Sequence, residues 1–328
     1  LAIFWLVAFS SATHDIAADG FYMLALSVRD QAMYVGIRST FYRIATIAGQ
    51  GLLVVLAGEL EKRTSTIAMA WSITFYILAG LFIAFYLYHS YILPHPASDK
   101  PAVGNVTANN IFKEFFATFA SFFKKPQAGV AILFMLFYRL PEAQLVKLIN
   151  PFLLDPIEKG GLGLSTAEVG WVYGTIGIIG LTLGGIIGGI CAAKGGLQKW
   201  LWPMAWSISL TCITFVYLGY FQPQDLLTIN ICVFIEQFGY GFGFTAYMLY
   251  MIYISEGEHK TAHYAICTAF MALGMMIPGM AAGWIEELIG YNRFFIWVMI
   301  CTLPGFAVLP FLKIDRTFGI NEDTDEKS

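Results

Sequence analysis

Apolar runs long enough to cross a bilayer recur along the whole of this chain, and they limit what it can fold into. A crossing helix needs about 20 mostly apolar residues. Windows of that kind run over Leu1–Ser27, Met33–Gly58, Thr66–Tyr91, Ala128–Leu154, Ala167–Ala193, Trp200–Phe221, Leu226–Ile254, Ala262–Ile285 and Phe294–Leu312. Inside lipid the backbone must satisfy its own hydrogen bonds, and runs this long do so as helices. The expected fold is therefore an all-α, polytopic membrane bundle with about nine transmembrane helices. Composition agrees: 12% of residues are charged and 58% are hydrophobic, against about 25% charged in an ordinary soluble domain.

Several functions are excluded at this level. The net charge is −3 and the basic residues are scattered, so no nucleic-acid partner is expected. The five cysteines fall in separate apolar runs without paired spacing, which supports neither a disulfide framework nor a zinc site. The glycines of Gly170–Gly189 lie within an apolar helix with no strand before them, so they are not a nucleotide loop. They read as close helix packing. No HExxH or GxSxG pattern occurs. A non-enzyme without cofactor or metal is expected.

The connections are short except for 92–127. Its first part, to Asn110, is rich in Pro, Gly, Asn and Ser and reads as a loop. Ile111 to Lys125 places Phe112, Phe115, Phe116, Phe119, Phe122 and Phe123 at helical spacing beside Lys113, Lys124 and Lys125. That pattern predicts an amphipathic helix in the membrane interface. Alternate inter-helix segments differ in charge. One set holds Arg29, Lys100, Lys113, Lys124, Lys125, Lys194, Lys199, Lys260, Lys313, Arg316 and Lys327; the other holds Lys62, Arg63, Lys159 and Arg293. The richer set faces the cytoplasm, which puts 92–127 and the C-terminus there. The sequon Asn105–Thr107 then reads as chance. The organisation is three helices over 1–91, a cytoplasmic linker over 92–127, six helices over 128–313 and an acidic tail over 314–328. Many transporters join two six-helix halves by such a linker. Leu1 already lies inside an apolar run, so about three helices of an expected twelve are taken to precede it.

Ionisable groups at bilayer depth face a protein interior or a wet cavity. His14, Asp15 and Asp19 sit in the first run, with the two aspartates one helical turn apart. They are either buried hydrogen-bonders or a proton or substrate site. The second run has Arg38 and Arg43. By helical rise Arg43 comes near the depth of Asp19, which predicts an Asp19–Arg43 pair and leaves Arg38 to snorkel to the interface. The fourth has Arg139, Glu142 and Lys147 around Pro141, which should kink it. Arg139 and Glu142 share a face and can neutralise one another. The seventh has Glu236 and Gln237 ahead of Gly239, Gly241 and Gly243, with Tyr240 and Phe242 between the glycines.

Three stretches carry a resemblance: Ser11 to Asp19 (Ser-Ala-Thr-His-Asp-Ile-Ala-Ala-Asp), Glu236 to Ala246, and Thr261 to Gly290. They resemble the fourth, tenth and eleventh helices of the major facilitator superfamily, within it the AmpG muropeptide permease and acetyl-CoA transporter group. Gly189 to Lys199 looks like that superfamily's cytoplasmic loop motif, with Ala193 where an Asp is common; His14 stands where Gln is frequent. The resemblance implies a monomeric importer in a bacterial inner membrane that moves muropeptide-like glycan–peptide fragments with protons. Asp15, Asp19, His14 and Glu236 are the proton-coupling candidates. Arg43, Arg139, Glu142, Lys147, Gln237, Tyr240 and Phe242 are the solute-binding ones, Tyr240 and Phe242 by stacking on sugar rings. A membrane-embedded enzyme and a non-transporting sensor are the alternatives.

Overall fold

A computed structural model describes residues 2–64, 66–96 and 108–319. The sequon and the residues from 320 onward lie outside the described residues. Helices α1 (Ala2–Ala25), α2 (Val28–Ile47), α3 (Leu53–Arg63) and α4 (Ile67–Ile92) come first, with a π-helical turn, Ala48–Leu52, between α2 and α3. Then come α5 (Ala108–Phe123), α6 (Ala128–Phe137), α7 (Leu140–Leu154), α8 (Thr166–Trp171), α9 (Gly177–Leu210), α10 (Ile213–Phe221), α11 (Leu226–Ser255), α12 (Lys260–Ile300) and α13 (Thr302–Val308). A second π turn, Val172–Ile176, joins α8 to α9.

Among the described residues, five stretches are long and apolar enough to cross a membrane: Ile67–Ile92, Ala128–Leu154, Thr166–Phe221, Leu226–Ser255 and Lys260–Phe311. Two of these, of 56 and 52 residues, are more than twice the length a bilayer needs. Each is broken by one glycine in an extended, positive-φ conformation: Gly196 (φ 74°, ψ 158°) and Gly290 (φ 75°, ψ 161°). Only glycine enters that region without strain, so each long stretch folds back as two helical segments. The first two expected crossings fall outside the five. His14, Asp15 and Asp19 in α1, and Arg29, Asp30, Arg38 and Arg43 in α2, lower their hydropathy.

Contacts divide the chain into two compact units, Leu1–Ser39 with Ala102–Ser328, and Thr40–Pro101. In the smaller unit α3 packs on α4, whose N-terminus is capped by the Thr66 hydroxyl accepting from the Met69 N–H at 3.3 Å. In the larger unit α9 and α11 form the tightest pair. A methyl group on Gly184 would strike the Phe238 carbonyl oxygen, and one on Gly180 would come within 2.7 Å of the Phe234 carbonyl oxygen. Gly241 of α11 answers with its backbone against the Leu181 carbonyl. Gly239 and Gly243 lie on the other side of α11, against the carbonyls of Ser207 and Met204 in the second half of α9. Thus α11 is held between the two arms of α9. Gly36 of α2 meets Gly185 backbone to backbone, and Gly189 lies under the Ala32 and Met33 carbonyls. Small residues permit this approach where lipid supplies no hydrophobic drive.

The α11 N-terminus is capped by Asp225, which accepts from the Thr228 N–H at 2.8 Å. That bond holds the Asp225 carboxyl below the usual aspartate range. The expected amphipathic helix is α5. Its Phe115, Phe116, Phe119 and Phe123 are exposed, while Phe122 is fully buried against the His263 ring. Ser121 bonds His263 Nε2 at 2.9 Å. Just beyond α5, Lys125 Nζ donates to the carbonyls of Ile254 and Glu256, each at 2.7 Å, at the end of α11. Burial there holds the Lys125 ammonium below the usual lysine value.

The glycine contacts give a direct expectation. Gly184→Val forces α9 and α11 apart and should lower unfolding stability by about 1–3 kcal/mol. Gly174→Ala, where an added methyl group meets open space, should stay within about 0.5 kcal/mol of wild type. Thermal unfolding in detergent, followed by tryptophan fluorescence, compares the two.

Candidate functional site

The break expected at Pro141 is present. Helix α6 ends at Phe137, Tyr138 and Arg139 make a turn, and α7 begins at Leu140 with Pro141 in its first turn. Proline is favoured there because it lacks the N–H that would go unused. The turn brings Arg139 and Glu142 together inside the bundle, 7% and 5% exposed. Arg139 Nε donates to Glu142 Oε2 at 3.0 Å, and Nη2 lies 2.9 Å from the same oxygen. Nη2 also donates to the Tyr240 hydroxyl at 3.0 Å. The guanidinium carbon stands 4.7 Å from the Phe244 ring centre, 5.6 Å from Tyr240 and 5.7 Å from Tyr247. Two tyrosines stitch this turn to α11: Tyr138 donates to the Gly243 carbonyl and Tyr247 to the Met135 carbonyl, at 2.9 and 2.8 Å.

One turn earlier on α11, Glu236 and Gln237 are each 3% exposed. The Gln237 amide donates to Glu236 Oε2 at 2.7 Å and reaches the Tyr173 hydroxyl at 3.5 Å. Tyr173 is delivered by the π turn between α8 and α9. Tyr240, whose hydroxyl accepts from Arg139, follows Glu236 by one turn of α11, and Arg139, Glu142 and Glu236 are all buried.

Two sequence-named residues are placed elsewhere. Phe242 faces the opposite side of α11, stacked at 6.3 Å on Phe238 and edge-on at 6.0 Å to Trp200. Lys147 is exposed, with its stem lying over Gly279 of α12.

A second group forms where α1 turns into α2. Asp19 pairs with Arg38. The two helices are joined tightly at Ser27, so Arg38 leaves α2 close to the level of Asp19. The expected Asp19–Arg43 pair falls on an Arg43 side chain that lies outside the described residues. Arg38 does not snorkel; its guanidinium lies 5.1 Å from the Tyr22 ring centre. The Tyr22 hydroxyl donates to the Gln31 carbonyl at 2.6 Å. Lys260 of α12 donates to the Met23 carbonyl at 2.9 Å, and Gly20 packs on Thr261. His14 and Asp15 lie on the exposed stretch of α1 that precedes this contact. Among the described residues no group of three or more His, Cys, Asp or Glu could hold a metal ion.

With this geometry in place, likeness to known proteins becomes informative. No protein-family model matches the chain. It is 27% identical over 306 residues to the putative transporter AmpG 2 of Rickettsia typhi, covering 93% of this chain and 69% of that protein. It is 25% identical over 308 residues to the putative transporter AmpG 4 of Rickettsia conorii, covering 94% and 71%. The anhydromuropeptide permease of Escherichia coli K12 is 23% identical over 313 residues, 92% of this chain and 58% of that protein. Over more than nine-tenths of its length the chain is similar to proteins named as AmpG transporters or as an anhydromuropeptide permease.

The sequence pattern did not single out Phe244, Tyr247 or Tyr173. Phe244 and Tyr247 lie four and seven residues after Tyr240 and share its helix face, a signal that was present but masked by a wholly aromatic stretch. Nothing in the sequence marks the π turn that aims Tyr173.

The buried pair sets two expectations. Removing one partner strands a charge, so Arg139→Ala or Glu142→Ala should each cost about 3–5 kcal/mol of stability. The double variant Arg139→Met with Glu142→Leu should recover most of that loss, as read by unfolding in detergent. Exchanging Asp19 and Arg38 should restore the folded yield lost in Asp19→Arg or Arg38→Asp alone, measured by monodisperse recovery on gel filtration.

Proposed function

We propose that this chain belongs to a proton-coupled importer of muropeptides, or of related glycan–peptide fragments, working in a bacterial inner membrane. The reading takes the chain as part of a major-facilitator-type bundle, supported by its similarity to AmpG transporters. On this reading α1, α2 with α3, and α4 cross three times. The six later crossings are α6 with α7, α8 with the first arm of α9, the second arm of α9 with α10, α11, the first arm of α12, and the second arm of α12 with α13. Residues 92–127 and the C-terminus face the cytoplasm, from the distribution of lysine and arginine.

The observation that carries the reading is the buried Arg139–Glu142 pair bonded to Tyr240, with buried Glu236 one turn before that tyrosine, in a chain similar over 92% of its length to an anhydromuropeptide permease. A carboxyl group inside a membrane protein can take up and give back a proton as its surroundings change, which suits it to coupling as the bundle opens to either side. Glu236, held by the Gln237 amide, is the proton carrier on the α11 side. Asp19, paired with Arg38 at the α1–α2 turn, and Asp15 with His14 along α1 are the carriers on the other. The two halves rock about the midplane.

The test is uptake of labelled muropeptide into proteoliposomes bearing the full natural protein. An inward proton gradient should raise the initial rate about tenfold, and an uncoupler should abolish the gain. Glu236→Gln should lose the gradient dependence while keeping solute counterflow, which needs no net proton movement. Equal uptake with and without the gradient would remove the proton from the mechanism, and no uptake under either condition would remove the solute.

A further inference from the structure

We propose that Tyr240 and Phe244 form a stacking platform for the apolar face of a sugar ring, and that Arg139 positions this platform instead of binding solute charge. The proposal rests on the reading of the solute as a glycan–peptide fragment, and it names the part of the protein that reads the glycan.

Phe244 follows Tyr240 by one turn of α11, so the two rings lie side by side. Their centres are 5.5 Å apart and their planes differ by 33°. Together they make one tilted aromatic surface, about the breadth of a six-membered ring and its substituents. Both are half-buried, in a helix whose neighbouring positions Glu236, Gln237 and Tyr247 are 3% exposed or less. The platform is thus the part of this face that reaches out of the packed interior. Phe242, which sequence spacing pairs with Tyr240, is packed on Trp200 and Phe238 across the helix and cannot join it.

Arg139 lies beneath. Its guanidinium is committed to Glu142, to the Tyr240 hydroxyl and to three aromatic rings, and the residue is 7% exposed. Reaching an anionic solute would require breaking the Glu142 pair and stranding that carboxylate, which is costly in a buried setting. With Glu142 the guanidinium sums to zero charge. What it supplies is a flat, rigid support that fixes the tilt of both rings, a task for which the ammonium of lysine has the wrong shape. A neutral aromatic platform over a compensated ion pair suits the C–H face of a pyranose and gives no purchase to a peptide carboxylate.

The test separates sugar from peptide. Uptake of labelled muropeptide by the full natural protein is inhibited with the unlabelled disaccharide alone and with the unlabelled peptide alone. Phe244→Ala should weaken inhibition by the disaccharide about tenfold and leave inhibition by the peptide unchanged. The KM for the muropeptide should rise while the maximal rate stays within twofold. Phe244→Leu keeps the bulk without the ring and should behave alike, whereas Phe244→Trp should retain disaccharide inhibition. Arg139→Lys should reproduce the Phe244→Ala pattern. Variants in which both inhibitors weaken together, or neither does, overturn the platform while leaving the importer reading intact. A wild-type protein that takes up no muropeptide overturns both.

Discussion

A charge withdrawn from water must find its opposite inside the protein, and the larger unit of this chain is arranged around that requirement. Arg139 meets it at several levels. Pro141 denies a continuous helix across 138–141, so α6 stops and α7 restarts. The restart puts Arg139 at a helix boundary with Glu142 one turn on, where the two can pair. Tyr138 and Tyr247 then bolt the broken helix to α11 through backbone carbonyls. Those bonds place the rings of Tyr240, Phe244 and Tyr247 around the guanidinium. Local backbone chemistry, ion pairing and aromatic packing all select one arrangement, which is the consistency expected of a specified fold.

Glycine contacts make that arrangement possible. Lipid offers helices no hydrophobic reason to associate, so they hold together by close backbone approach and by hydrogen bonds. The two arms of α9 grip α11 through Gly180, Gly184 and Gly241 on one side and Gly239 and Gly243 on the other. With α11 gripped in this way, Tyr240 and Phe244 are turned toward Arg139 at the start of α7, while Gln237 lies against Gly177 and Gly180 of α9. Packing residues and functional residues therefore share one helix and are separated only by phase.

The contacts of α1 and α2 with the same unit gather at one end of α1. Met23 receives Lys260, Gly20 packs on Thr261, and Gly36 touches Gly185. Asp19 and Arg38 stand beside these contacts, so their ion pair is tied to the place where N-terminal helices meet α9 and α12.

By itself the sequence determined the all-helical membrane class, the apolar runs, the break at Pro141, the amphipathic α5 and the pairing of Arg139 with Glu142. Each is local, following from hydropathy over one helix length, from a missing N–H, or from residues three apart on one face. Tertiary structure alone decided that Asp19 takes Arg38, that Phe244 and not Phe242 stands beside Tyr240 over the guanidinium, and that a π turn delivers Tyr173. Those outcomes depend on how far one helix slides and rotates against another. A shift of one residue turns a side chain by about 100°, and the neighbours that set the shift are remote in the chain.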